Sequence, residues 1–186
     1  MTEKRYPAMR RKDREQGEDW IREFITRAPF GVLAVTFDGK PYTVHHTFFY
    51  DSERHAIYLH TSRNGHLRQV VEATVPIAVC WSAALMGRLL PAEVAREFSV
   101  EYESVVAFGT ICVVTDGAEQ VAGLSGLNAK YFPHLEPGKD YKPVDEKEAA
   151  ATTVFRIDID HWTGKRKAVE QDFPGAFLFG QPPTSD

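Results

Sequence analysis

Gly31-Val-Leu-Ala-Val-Thr-Phe-Asp-Gly-Lys-Pro-Tyr-Thr-Val-His-His-Thr-Phe-Phe-Tyr50, followed by Asp-Ser-Glu-Arg54 and Ala56-Ile-Tyr-Leu-His-Thr61, reads as three consecutive β-strands. Asp38-Gly39 tolerates positive φ, so Gly31–Phe37 and Pro41–Tyr50 form a tight hairpin. If Asp51–Arg54 is a regular hairpin connection, Tyr50 faces His55, and the register places His45 opposite His60, Thr43 opposite Ser62 and Thr47 opposite Tyr58. One face then carries Thr43, His45, Thr47, Tyr58, His60 and Ser62. The other carries Val44, Phe48, Ile57 and Leu59, an ordinary core.

Upstream, Trp20, Ile21, Phe24 and Ile25 fall on one face of a helix over Gly17–Arg27, which Pro29 ends. Downstream, Asn64 can cap a short helix bearing Leu67, Val70 and Val71, and Val75–Trp81 reads as a strand with Pro76 near its start. Ser82–Ser99 shows no β period and reads as a loop or short helix. Val100–Thr115 is a long strand with Gly109 as a bulge or bend. Val121, Leu124, Leu127 and Tyr131 set a helix over Glu119–Phe132; the connection Pro133–Pro143 and the acidic stretch Asp145–Glu148 lead to a last strand, Thr153–Ile159. Six mostly antiparallel strands with a few helices make an α+β, mainly β, chain built on a barrel, and the lack of β-α alternation argues against a doubly wound sheet.

The 186 residues suit one domain, 1–186, with a basic arm over 1–15 and an irregular tail over 170–186. Hydrophobic residues at 43%, charged ones at 26% and a net charge of -4 fit a globular protein and give no reason to expect nucleic acid. The arm holds Lys4, Arg5, Arg10, Arg11, Lys12 and Arg14 but no apolar run follows it, so it does not read as a secretion signal, and no segment is apolar enough to span a membrane. Cys80 and Cys112, each in an apolar run, read as buried small hydrophobes in a reducing cytoplasm.

The polar strand face admits two readings: it points to water, as half of an antiparallel sheet can, or it lines a ligand site. The Thr61-Ser62-Arg63-Asn64-Gly65-His66 turn gathers hydroxyls, a guanidinium, a glycine and a helix start, the parts of a phosphate site, and Tyr58 and His60 are rings suited to lie beside a flat heteroaromatic. No Gly-x-Gly-x-x-Gly, Walker loop, Gly-x-Ser-x-Gly or His-Glu-x-x-His occurs. His45 and His46 point to opposite faces, so no metal site is expected.

Five landmarks in order, Met9-Arg-Arg-Lys-Asp-Arg14, Gly39-Lys-Pro-Tyr-Thr-Val44, Tyr58-Leu-His-Thr-Ser62 with Gly65-His66-Leu67, Tyr102-Glu-Ser-Val-Val-Ala-Phe-Gly109 and Trp162-Thr-Gly-Lys-Arg-Lys167, give the chain a resemblance to the pyridoxamine 5'-phosphate oxidase-like flavin-binding split barrels, in particular their 5-nitroimidazole-resistance branch. The resemblance implies an antiparallel six-stranded split β-barrel with peripheral helices, and a homodimer holding FMN in the groove between subunits. FAD, deazaflavin and haem are the alternative cofactors. It also implies an oxidoreductase that takes reduced nicotinamide as donor and a nitroaromatic or similar small molecule as acceptor; the alternative is a barrel binding haem or another small ligand without turnover. Carried over by position, Thr43, Val44 and His45 border the ring, His60, Thr61 and Ser62 line the ribityl-phosphate side, and His66 with Leu67 closes the phosphate turn; Tyr58 and Gly65 are further cofactor-binding candidates. Tyr102, Ser104, Trp162 and Lys165 sit in further family-like motifs, and His60 and His45 are the candidate catalytic groups. The chain departs from the family at His66, where many relatives carry Arg or Lys.

Overall fold

The computed structural model describes residues 6–71 and 76–181; Lys4 and Arg5 of the arm, Val75 at the expected strand start, and Pro182 and Pro183 of the tail lie outside them. In chain order the elements are β1 (Glu15–Gln16), α1 (Glu18–Arg27), β2 (Gly31–Phe37), β3 (Lys40–His46), β4 (Phe49–Asp51), β5 (Ala56–Ser62), α2 (His66–Val70), β6 (Ile77–Leu90), β7 (Ser99–Val113), α3 (Gly117–Tyr131), α4 (Glu146–Ala149) and β8 (Thr152–Lys167). All strands pair antiparallel in one sheet of order β3-β2-β6-β7-β8-β5-β4, with β1 alongside β8.

The two ends of that order, β3 and β4, are neighbours in sequence, separated only by Thr47 and Phe48. The sheet therefore curls until its edges are joined by the chain itself, not by a ladder of hydrogen bonds. This is the split-barrel architecture expected for the fold, mainly β with helices at its periphery. It also corrects the expected strand count. The anticipated single strand Pro41–Tyr50 is two short strands, because one strand cannot pair with β2 and β5 when those lie at opposite ends of the sheet. With β1, the described strands number eight.

The same topology overturns the expected register. His45 pairs with Val32 of β2, not with His60, and His60 pairs with Val154 of β8. Where β4 does meet β5, Phe49 lies opposite Tyr58 and Tyr50 opposite Ile57, so the turn is Ser52 to His55. The Asp51 carboxylate accepts from the amides of Glu53 and Arg54, and His55 takes a left-handed conformation at φ 51°, which sets a two-residue displacement from the simple hairpin. The Asp38-Gly39 hairpin is as expected, with Phe37 opposite Lys40 and both turn residues at positive φ.

Ser82–Leu90 is strand, not loop: β6 runs on to Leu90, and only a short 3-10 turn at Ala95–Glu97 interrupts the way to β7. Alanine, methionine and glycine blur its alternation, but Arg88 pairs bidentately with Glu101 across the hairpin and reaches the carbonyls of Val169, Glu170 and Gln171, tying the start of the tail to the sheet. β8 likewise extends well past Ile159, to Lys167. The helix after β5 starts from Gly65, with no side-chain cap from Asn64, and α3 starts at Gly117 under an Asp116 side chain that accepts from Glu119 N.

The inner face packs Leu33, Val35, Ile57, Leu59, Trp81, Val105, Ile111, Phe155 and Ile157, and α1 closes one end with Ile21, Phe24 and Ile25. Burying such side chains contributes about 1.5–3 kcal/mol each. α3 covers the outside of β4 and β5. Cys80 and Cys112 are free and only half-buried, on the outer side of the sheet and not in its core. No helix among the described residues is long and apolar enough to cross a membrane.

Gly109 marks the register shift where β7 bends against β8, and a Cβ there would collide with the carbonyl of Asp158. Gly109→Ala is expected to lower stability by about 1–3 kcal/mol, read as a lower urea midpoint at unchanged m-value. An unchanged midpoint would show that the bend does not depend on this contact.

Candidate functional site

Along its side away from β2, β3 has no strand partner among the described residues, and neither does β5 from Leu59 to Ser62 on its side away from β8. These two open edges bound the split. Thr43 and His45 are exposed on β3, His60 and Ser62 are exposed at the end of β5, and Thr61 is half-buried. They line the two open edges and are not cross-strand pairs.

The turn after β5 is tight. Gly65 N donates to Ser62 O, Thr152 Oγ1 donates to Thr61 O, and a Cβ on Gly65 would stand 3.1 Å from both Ser62 O and Thr61 Oγ1. α2 then crosses toward the far edge. The His66 ring meets Phe37 and Tyr42 edge-on, each at 4.9 Å between centroids, so His66 bridges the β5 turn to the β2–β3 hairpin. The opposite end of the split is closed by α3. Tyr131 OH accepts from Phe48 N and donates to Pro29 O, while Lys130 Nζ lies 3.4 Å from the Phe48 ring centroid and donates to Ile25 O. Burial lowers the Lys130 pKa to about 8. In the sequence Tyr131 marked only a helical face and Lys130 nothing, because their positions acquire meaning once α3 is laid over the Thr47–Phe48 crossing.

His60, although exposed, is desolvated enough by its surroundings to lower its pKa, leaving a neutral imidazole at pH 7 that can donate from one nitrogen and accept at the other. With the hydroxyls of Thr43, Thr61 and Ser62 and the Arg63 guanidinium nearby on the turn, the donor set fits an anionic, hydroxylated ligand. Among the described residues no group of three His, Cys, Asp or Glu gathers to hold a metal.

The other expected site residues lie elsewhere. Tyr58 is 2% exposed, its ring under Gly123 of α3 and its OH donating to Glu119 Oε1, which also accepts from Arg156, so it cannot stack on a ligand in the split. Burial raises its pKa, with the Glu119 hydrogen bond adding to the effect. Val44 packs against the core and Leu67 is buried in it, leaving them only backbone or edge contacts to offer. Trp162 packs on Tyr50 and His55, with the Arg22 guanidinium over its ring.

Tyr102, Ser104 and Lys165 form a separate group. Ser104 pairs with Lys165, and Tyr102 accepts from Arg14 of the basic arm with Lys165 Nζ 5.8 Å from its ring; the two cations outweigh desolvation and lower the phenol pKa. β7 and β8 stand three and four strands from β3, about 14 and 19 Å across the sheet, and Lys165 lies about 35 Å along β8 from Val154, the partner of His60. One chain does not bring the two groups together.

Comparison with known proteins follows this geometry. The family model for pyridoxamine 5'-phosphate oxidase matches residues 17–166. The chain is similar in structure to the FAD and heme binding protein from Mycobacterium smegmatis, at 21% identity over 92% of this chain and 77% of that one, TM-score 0.71. It is similar to the flavocytochrome Anf3 from Azotobacter vinelandii, at 19% identity over 96% and 87%, TM-score 0.71. A protein from Bacteroides thetaiotaomicron assigned to 5-nitroimidazole antibiotic resistance is 21% identical over 82% and 90%, TM-score 0.61. No curated protein sequence matches.

His46, beside the split, is 7% exposed; its Nδ1 lies 3.1 Å from Thr47 O, and its buried Nε2 has no partner among the described residues. Burial lowers its pKa to about 4. Between about pH 6.5 and 4 the unfolded chain binds a proton at this residue that the folded one refuses, so its contribution to stability is full above about 6.5 and is lost as the pH falls toward 4. Urea unfolding at pH 7 and pH 4.5 is expected to show wild type losing about 2–3 kcal/mol more than His46→Leu. Equal losses would show that His46 titrates normally in the folded protein.

Proposed function

The chain belongs to the pyridoxamine 5'-phosphate oxidase family, and from that premise we propose that it binds a flavin in the split between β3 and β5 and works as a flavin-dependent oxidoreductase. The observation that carries this reading is the pair of open strand edges, lined by Thr43, His45, His60 and Ser62 and ending in the Thr61–Gly65 turn. Free backbone groups on both edges suit the polar rim of a flat heterocycle, and the hydroxyls with Arg63 suit a ribityl chain and phosphate. The naming of similar folds as FAD-binding and as a flavocytochrome supports a flavin without fixing which one.

Bound flavin would supply the redox chemistry, accepting electrons from a reduced nicotinamide and passing them to a nitroaromatic or similar acceptor. The chain's own part is to bind, orient and hold protons. Neutral His60 and exposed His45 flank the split from opposite edges, placed to hydrogen-bond the reacting groups and to relay to the acceptor a proton taken up from water. α3 shields the end of the split at Phe48, and His66, edge-on to both Phe37 and Tyr42, ties the turn to the β2–β3 hairpin. Because Tyr102, Ser104 and Lys165 lie far from the split within one chain, a second copy is the means by which they would join the site, and the working form is proposed to be a homodimer.

The untreated protein is expected to show the two broad absorption bands of a flavin, with fluorescence rising on release. His60→Ala and Ser62→Ala should each weaken flavin binding by about tenfold, the loss of one hydrogen bond to a charged or polar ligand group. A colourless protein whose spectrum is unmoved by FMN and FAD overturns the reading, and a Soret band lost in His60→Ala would replace flavin with haem. Sedimentation should show twice the 21.0 kDa chain mass; a purely monomeric species at micromolar concentration would remove Tyr102, Ser104 and Lys165 from the site.

A further inference from the structure

The Thr61–Gly65 turn borders a second space besides the split. A pocket of about 770 Å³ opens on its other side, lined by Arg63 and Asn64 of the turn, Arg68 of α2, Thr115 and Gln120 around the start of α3, and Thr152 of β8. That volume is in the range of small-molecule sites and is far larger than a single phosphate needs. α2 is the partition between the two spaces. His66 and Arg68, two residues apart, point about 200° apart around the helix; accordingly His66 meets Phe37 and Tyr42 while Arg68 lines the pocket.

Among the described residues no carboxylate pairs with the cations of this pocket. Arg63 has no ion pair or hydrogen bond among the described residues, and Arg68 has only one contact, Nη1 donating to Val71 O at 3.1 Å. Arg156, on the neighbouring β5–β8 pair, is by contrast bound to Glu119 and Asp158. Gln120 turns its amide nitrogen to Val114 O, leaving its amide oxygen as an acceptor toward the pocket, and Thr115 adds a hydroxyl. Two guanidinium groups at one end and neutral polar groups at the other match a phosphate-bearing ligand with a hydroxylated, heterocyclic remainder.

We propose that this pocket takes the adenosine monophosphate half of a dinucleotide flavin, so that the chain selects FAD over the FMN that the family resemblance implies. The inference rests on the flavin reading above. A flavin whose first phosphate sits on the Thr61–Gly65 turn ends there if it is FMN, leaving Arg68 and the pocket empty. A second phosphate carries the ligand past the turn to Arg63 and Arg68, and the ribose and adenine beyond it reach Gln120 and Thr115.

Calorimetric titration of the deflavinated full chain with FMN and with FAD tests this directly. FAD is expected to bind at least about tenfold more tightly, and Arg68→Ala to remove that preference by weakening FAD about tenfold while FMN affinity stays within about twofold. The melting temperature of ligand-free Arg68→Ala, compared with that of wild type, shows whether the variant folds; if it does not, the FAD to FMN ratio of the wild-type protein decides alone. Equal affinities, or tighter FMN, overturn the pocket assignment and leave the flavin reading standing. Binding of neither overturns the flavin reading itself.

Discussion

The structure depends on a covalent constraint: the two edges of its sheet are one piece of chain. Thr47 and Phe48 carry the backbone from β3 at one end of the strand order to β4 at the other, and Tyr131 holds the crossing by accepting from Phe48 N and donating to Pro29 O. A barrel closed by hydrogen bonds has no free edge to offer. This one is closed by connectivity, so β3 and the end of β5 can face one another with backbone groups unspent. The split, its helical plug at α2 and its cover at α3 all follow from that crossing.

The same constraint separates what the sequence could show from what it could not. Local chemistry was legible. Asp38-Gly39 makes its hairpin, the Trp20–Ile25 face makes α1, and Gly109 sits at a bend where a side chain would strike Asp158. Pairing beyond the local was not. Arithmetic on Pro41–Tyr50 and Ala56–Thr61 assumed that strands adjacent in sequence pair along their whole length, whereas His45 pairs with β2 and His60 with β8. Parity nonetheless put Thr43 and His45 on one exposed face, and His60 and Ser62 on another, which is why the polar set is exposed although its pairing differs. Tyr58 shares that parity but is covered by α3, and nothing within β5 indicates which of its outward residues a helix will cover. Ser82–Leu90 escaped notice because its β character is set by Arg88 and Glu101 across the hairpin, not by hydrophobic alternation.

The residues that carry the family resemblance also divide by depth. Thr43, His45, His60, Thr61 and Ser62 present side chains at the split. Val44, Leu67 and Trp162 maintain the barrel behind it, and Tyr102, Ser104 and Lys165 occupy a distant outer surface with the basic arm against them. A motif read as a string treats these as equivalent; the fold sets them at three different places, of which only the first opens on the split.

Open strand edges have a consequence outside chemistry. An edge such as β3 is a template for another strand, and proteins ordinarily blunt such edges with charge or proline, as Lys40 and Pro41 do at its start. From Tyr42 to His46 the shielding comes from what stands across the gap: the β5 edge, α2 and whatever occupies the split. A ligand bound in the split would add to that shielding, and the empty barrel would be the form whose margins stand open to a foreign strand.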